Sequence, residues 1–274
     1  MKINDRIKLS NGYEMPAFGL GVFRSHEGRE VESAVKCALT AGYRSIDTAM
    51  IYQNECGVGQ AIRDSGLERS DVFVTTKVWN TDQGYDTTLR AFELSMEKLN
   101  LGYVDLYLVH WPVAEKNKDT WRALEELYEQ GLVRAIGVSN FLPHHLEELL
   151  KSANVPPMVN QVEFHPFLQQ PELQECCREN GIVIEAWAPI MRGQVLQIPP
   201  LVALARKYRK TAVQITLRWL LQKGIVAIPK SANPERIRSN SRIFDFELSE
   251  LDMSRIDSLD RNHRIGPHPD HRNF

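Results

Sequence analysis

Long apolar runs are missing from this 274-residue chain, and no stretch approaches the roughly 20 apolar residues that a membrane span requires. An excess of one charge is missing too: 33 Lys and Arg stand against 35 Asp and Glu, a net charge of −2. Dispersed basic residues offer no patch to nucleic acid or to an anionic membrane surface. We therefore expect a small-molecule partner, no nucleic acid and no membrane; a monomer is expected as well. The opening Met1-Lys-Ile-Asn-Asp-Arg6 has no apolar core of signal-peptide length, which predicts a cytoplasmic protein. Cysteine is scarce. Cys37, Cys56, Cys176 and Cys177 show no paired C-x-x-C spacing, which argues against a zinc site and a disulfide framework and predicts buried free thiols.

Several signatures of nucleotide and nucleophile chemistry are also absent. Gly19-Leu-Gly21 and Gly57-Val-Gly59 each lack the third glycine of a dinucleotide fingerprint; Ile62 stands where the second would need it. No Gly-Lys dipeptide occurs, which excludes the usual triphosphate-binding loop. Gly137-Val-Ser-Asn-Phe141 lacks the closing glycine of a nucleophile elbow, so Ser139 reads as a hydrogen-bonding residue. His144 and His145 read as solvent-facing or capping residues at a helix start, and no His/Asp set suggests a metal.

What is present is a repeat of short apolar runs and helical patterns. Arg6 to Leu9 and Tyr13 to Pro16 flank Ser10-Asn11-Gly12, a hairpin signal. Strand-like runs follow at 18–23, 45–49, 73–78, 105–110, 135–140, 159–164, 183–189 and 226–231. Helical patterns follow each in turn at 28–42, 54–65, 84–100, 119–130, 143–152, 171–180, 199–223 and 234–240. Near-continuous apolar runs suit parallel strands buried on both faces, and eight such units at this length predict one (β/α)8 TIM barrel over residues 1–274. The alternative is an open doubly wound sheet. Ile198-Pro-Pro-Leu201 reads as a helix opening rather than a linker, and Ser249-Glu-Leu-Asp252 caps an extra C-terminal helix over 249–261.

Four runs end on residues that carry chemistry: Ser45 to Tyr52 (SIDTAMIY), Phe73 to Lys77 (FVTTK), Asp105 to His110 (DLYLVH) and Ala135 to Asn140 (AIGVSN). In a parallel barrel these carboxyl ends meet at one rim, bringing Asp47, Tyr52, Lys77 and His110 together. A phenol with pKa near 10 becomes a useful acid only beside a cation, and a partly buried Lys77 needs an anion such as Asp47. His110 can orient a carbonyl oxygen. Taken singly, an Asp47–Lys77 ion pair and a core His110 also fit purely structural roles.

Over essentially its whole length the chain resembles the aldo-keto reductase family. The matching stretches are Gly42 to Ala49 (GYRSIDTA), Thr76 to Trp79 (TKVW), Asp105 to Pro112 (DLYLVHWP), Gly137 to Asn140 (GVSN), Asn160 to Glu163 (NQVE) and Ile228 to Ser231 (IPKS). Short bacterial members similar to glyoxal or methylglyoxal reductases and 2,5-diketo-D-gluconate reductases look nearest. The resemblance implies an NADPH/NADP+ cofactor and reduction of small aldehydes, dicarbonyls or ketosugars to alcohols. It also implies Tyr52 as general acid, Lys77 lowering its pKa, Asp47 holding Lys77 and His110 positioning the carbonyl. Trp187 would stack on the nicotinamide, with Ser139, Asn140 and Gln161 on its carboxamide. Lys230, Ser231, Asn233, Arg236 and Asn240 would hold the far end, where Asn233 and Pro234 announce a helix N-terminus suited to phosphate. The two cations there suit a ribose 2′-phosphate. Phe23, Trp79, His110 and Trp111 would line the substrate pocket beside Tyr52. Two departures touch cofactor contacts: Ala188 stands where many relatives have Ser, and Ser239 where many have Glu. The short segment 112–120 and the 13 residues after Arg261 predict an open pocket of broad specificity. A cofactor-binding regulatory or redox-sensing subunit with little turnover would carry the same residues.

Overall fold

A computed structural model describes residues 1–271. The chain opens with an antiparallel hairpin, β1 (Arg6–Lys8) with β2 (Glu14–Pro16), in which Ile7 faces Met15. Eight parallel strands follow in the spatial order of the sequence: β3 (Leu20–Gly21), β4 (Ser45–Asp47), β5 (Phe73–Val78), β6 (Val104–Val109), β7 (Val133–Ser139), β8 (Val159–Glu163), β9 (Val183–Trp187) and β10 (Val226–Ala227). Parallel bridges from Phe18 to Ala227 and from Gly21 to Lys230 join the first and last strands and close the barrel. All six residues of β5 and all six of β6 are buried, as expected for strands between a packed interior and an outer helical layer.

The outer layer comprises α1 (Arg29–Thr40), α2 (Glu55–Arg63), α3 (Tyr85–Leu99), α4 (Asn117–Glu129), α5 (Pro143–Leu150), α6 (Pro171–Glu179), α7 (Pro199–Tyr208), α8 (Ala212–Gln222) and α9 (Pro234–Asn240). A last helix, α10 (Glu250–Asp257), packs outside the barrel, where Trp219 Nε1 donates to Asp257 Oδ1 at 2.9 Å. None of the described helices is long and apolar enough to cross a membrane. The pair Gly57 and Gly59 has a packing explanation: a Cβ on Gly59 would lie 2.0 Å from the carbonyl oxygen of Leu99, so only glycine lets α2 approach the end of α3 this closely.

Four expectations need correction. The first and last strands are two residues each, because closure runs through isolated bridges rather than a continued ladder. The single helix expected over 199–223 is two helices: Arg209 takes a left-handed φ of 55° that stops α7. Thr211 then starts α8 with a reciprocal cap, its hydroxyl accepting from Gln214 N while Gln214 Oε1 accepts from Thr211 N. The helix expected over 249–261 ends at Asp257. All four thiols are free, but only Cys177 is buried; Cys37 and Cys176 are half-buried and Cys56 is exposed on α2, since a helix that covers a barrel buries only its inner face.

Candidate active site

β4 and β5 are adjacent and in parallel register, Asp47 opposite Thr75, so their carboxyl ends bring Asp47 and Lys77 to one place. Lys77 Nζ lies 2.8 Å from Asp47 Oδ1, 2.8 Å from Thr48 O and 3.5 Å from Tyr52 Oη. These contacts occupy the three N–H groups of the ammonium. Tyr52 sits at the end of a single 3-10 turn, Met50–Tyr52, directly after β4. The buried Asn54 anchors that turn: its Oδ1 accepts from Thr48 Oγ1 at 2.7 Å, and its Nδ2 donates to the carbonyls of Val22 and Ser25. His110 follows β6, its ring 5.7 Å from that of Tyr52 and edge-on to it. Trp79 lies 5.1 Å from the His110 ring and Phe23 5.0 Å from the Tyr52 ring. Trp111 is buried and Phe23 is exposed.

Burial would push Lys77 down, but Asp47 and the tyrosine oxygen outweigh it and hold the lysine above its ordinary value, so it remains an ammonium. For Tyr52, burial pushes up and the Lys77 charge pulls down. Lys77 acts in the expected direction, yet burial prevails and the phenol stays a weaker acid than in water. Because Lys77 donates to Tyr52 Oη, the hydroxyl hydrogen is directed elsewhere. The arrangement can present an O–H to a bound oxygen and stabilise the phenolate left behind.

Next to this group is a polar chain along β7, β8 and β9. Ser139 Oγ donates to Gln161 O at 2.9 Å, and Asn140 Nδ2 donates to His110 O at 2.9 Å and to Ser139 Oγ at 3.0 Å. Trp187 Nε1 donates to Asn140 Oδ1 at 2.8 Å. Gln161 Nε2 reaches Asp47 Oδ2 at 2.7 Å and Glu185 Oε2 at 2.6 Å. Asn140 and Ala188, at the ends of β7 and β9, take left-handed φ values of 65° and 50°, a conformation that costs energy for a residue with a side chain.

The cationic end differs in kind. Lys230, Asn233 and Arg236 are exposed, while Ser231 and Asn240 are buried. Asn233 Oδ1 accepts from the backbone N–H of Glu235 at 2.9 Å and of Arg236 at 3.0 Å. Asn233 is thus the N-cap expected of it, directly followed by Pro234 in the first turn of α9.

Two contributions escaped the sequence reading. Glu185 is fully buried in the middle of β9; its signal was one acid inside the apolar run Val183 to Trp187, where an unneeded charge would be costly. The other is the segment after α10. Glu163, on β8, accepts from Ile265 N at 2.6 Å and Gly266 N at 3.1 Å, which lays the segment against Trp187. It continues to α5, where Asp270 meets His144 Nε2 at 3.0 Å and His145 Nε2 at 3.2 Å. These three residues form a group of possible metal ligands. However, His145 Nδ1 accepts from Leu142 N, so in the neutral ring Nε2 carries the hydrogen and donates to Asp270 rather than offering a lone pair. His144 is exposed and His145 caps α5, the two roles expected for them.

Comparison with known proteins identifies the family. The glyoxal reductase of Bacillus subtilis (strain 168) is 58% identical over 268 residues, covering 98% of this chain and 97% of that protein. The crystal structure of MGS-M4, an aldo-keto reductase from a Medee basin deep-sea metagenome library, superposes with a TM-score of 0.96 at 49% identity, covering 98% of this chain and all of that one. A Gox0644 mutant solved in complex with NADPH superposes at 0.94 with 42% identity, over 99% of both chains. With the aldo/keto reductase family model matching residues 17–261, the chain belongs to the aldo/keto reductase family and is an oxidoreductase.

Proposed function

We propose that this protein reduces small aldehydes and dicarbonyls, methylglyoxal and glyoxal among them, or ketosugars, to alcohols with NADPH. The observation that carries this reading is the contact of Tyr52 Oη with Lys77 Nζ, itself on Asp47, at the carboxyl rim of a barrel. Family membership, the NADPH-bound Gox0644 neighbour and the glyoxal reductase relative support it.

The residues suit the cofactor at both ends. Trp187 is half-buried with its Nε1 tied to Asn140, which fixes the orientation of an indole suited to stacking. Gln161 has both amide hydrogens engaged by carboxyl groups, so toward a carboxamide it can only accept. Lys230 and Arg236 supply charge for a 2′-phosphate. When bound, the reduced nicotinamide supplies a hydride to the carbonyl carbon. Tyr52 gives its hydroxyl proton to the carbonyl oxygen, Lys77 stabilises the phenolate, and solvent restores the proton after the alcohol leaves. His110 orients the carbonyl oxygen by hydrogen bonding. Phe23, Trp79 and Trp111 provide apolar walls, as small carbonyl pockets require.

The test is a panel of carbonyl compounds followed by loss of NADPH absorbance, with methylglyoxal, glyoxal, a nitrobenzaldehyde and a ketosugar. Turnover with one or more is expected. Tight NADPH binding without turnover of any would instead favour a cofactor-binding regulatory subunit.

A further inference from the structure

Glu185 is the one member of the barrel-centre network that the proposed chemistry leaves unused. It lies opposite Gln161 of β8 and Val226 of β10 in the parallel register. Gln161 Nε2 spans it and Asp47, at 2.6 and 2.7 Å. Asp47 is engaged with an ammonium and cannot donate, so it must face the amide NH2 of Gln161 rather than its oxygen. The second hydrogen of that NH2 then goes to Glu185. Among the described residues Glu185 Oε1 is buried without a hydrogen-bond partner.

We propose that Glu185 is a positioning residue held as the neutral carboxylic acid. Its Oε2 takes one amide hydrogen of Gln161 while Asp47 takes the other, which locks the amide and leaves the Gln161 carbonyl oxygen as the acceptor for the nicotinamide carboxamide. The last step rests on the reading that NADPH binds here.

Charge balance supports the neutral form. The titratable groups facing Glu185 are Asp47 from β4, Lys77 from β5 and Tyr52 from the turn after β4; its flanking strands bring Gln161, Val226 and Ala227, none ionisable. Asp47 and Lys77 already cancel. A second anion with one bare oxygen, removed from water, would be the costlier state. Burial first, and the Asp47 charge second, push the Glu185 carboxyl up to about 8.

The sign of the pH dependence follows. Below an ordinary carboxyl pKa of 4.5 both folded and unfolded chains hold the proton. Between there and about 8 only the folded chain does, so rising pH favours unfolding. Glu185→Gln mimics the protonated acid in shape and cannot titrate.

Three measurements on the full chain test this. The infrared spectrum of the cofactor-free enzyme near pH 6.5 should contain a protonated-carboxyl band that Glu185→Gln lacks. The melting temperature of Glu185→Gln should gain on wild type as pH climbs from about 4.5 to about 8, and the gap should then level. NADPH affinity at pH 7, by fluorescence titration, should stay within about two-fold in Glu185→Gln and fall about ten-fold or more in Glu185→Leu, which strands the Gln161 hydrogen. Absence of the band, Glu185→Gln as damaged as Glu185→Leu, or Glu185→Leu with wild-type affinity would each overturn the proposal. If Glu185→Leu does not fold, the band and Glu185→Gln decide. If wild type binds no NADPH, the cofactor reading fails while the band and the melting gap still judge the protonation of Glu185.

Discussion

At the barrel centre Asp47, Lys77, Gln161 and Glu185 are all buried, each within hydrogen-bond distance of another, whereas Lys230, Asn233 and Arg236 beyond β10 point into solvent. The first region has its charges and dipoles in place before any ligand arrives, the condition under which electrostatic stabilisation of a reacting group is strongest. In the second, exposed cations gain little until an anion meets them, and salt screens what they gain. Substitutions that break a buried pair in the centre should therefore change chemistry and stability together. Substitutions at the cationic end should change affinity and selectivity alone.

Tyr52→Phe should give the largest effect on rate. It removes the transferable proton and keeps the ring, so steady-state reduction should fall by about two or more orders of magnitude, with NADPH affinity by fluorescence titration retained. More than about a tenth of wild-type turnover, where chemistry limits the rate, would remove Tyr52 from the role of acid.

Lys77→Met should slow reduction comparably and, unlike Tyr52→Phe, also destabilise the fold, because it strands a buried Asp47. Breaking a buried pair on one side costs about 3–5 kcal/mol, readable as a lowered denaturant midpoint. In the Tyr52→Phe/Lys77→Met double variant the rate losses should fall well short of multiplying. Full multiplication would show the two residues acting independently.

The contrast between the regions also explains what could be read from the residues alone. Asp47, Lys77 and His110 stand at the ends of apolar strands, where side-chain type and strand direction together predict a rim site. Glu185 stands mid-strand, and nothing in its spacing tells which neighbours its carboxyl meets. The barrel itself was legible because buried parallel strands read as apolar runs. Its closure was less so, since isolated bridges at Phe18 and Gly21 leave no periodic trace. The split of 199–223 was available in the Thr211 and Gln214 capping pair. The passage of residues 263–271 over the rim was not, because it depends on long-range bonds from Glu163 and on Asp270 meeting α5.

At the cationic end, Arg236→Ala and Lys230→Ala should each weaken NADPH by roughly 10- to 150-fold, the range for a charge-assisted contact, while changing NADH little. Added salt should shrink the difference as screening increases. Equal loss of both cofactors in both variants would place the 2′-phosphate elsewhere and erase the distinction between the regions.

The smallest effect tests the border between them, where the chain after α10 backs Trp187. A Cβ on Gly266 would fall 2.4 Å from Trp187 Cη2 and 2.9 Å from Glu163 Oε2, so Gly266→Ala must displace either the indole or the segment held by Glu163. Overpacking costs about 1 kcal/mol at the low end of its range, and that end applies because the segment is only half-buried around Gly266 and can shift on its hydrogen bonds to Glu163. If Trp187 stacks on the nicotinamide, which NADPH and NADH share, both should weaken by roughly five-fold, and salt should leave that loss unchanged. Preferential loss of NADPH would mean that Gly266 acts on the phosphate end. Unchanged affinity for both would mean that the segment covers Trp187 without bracing it.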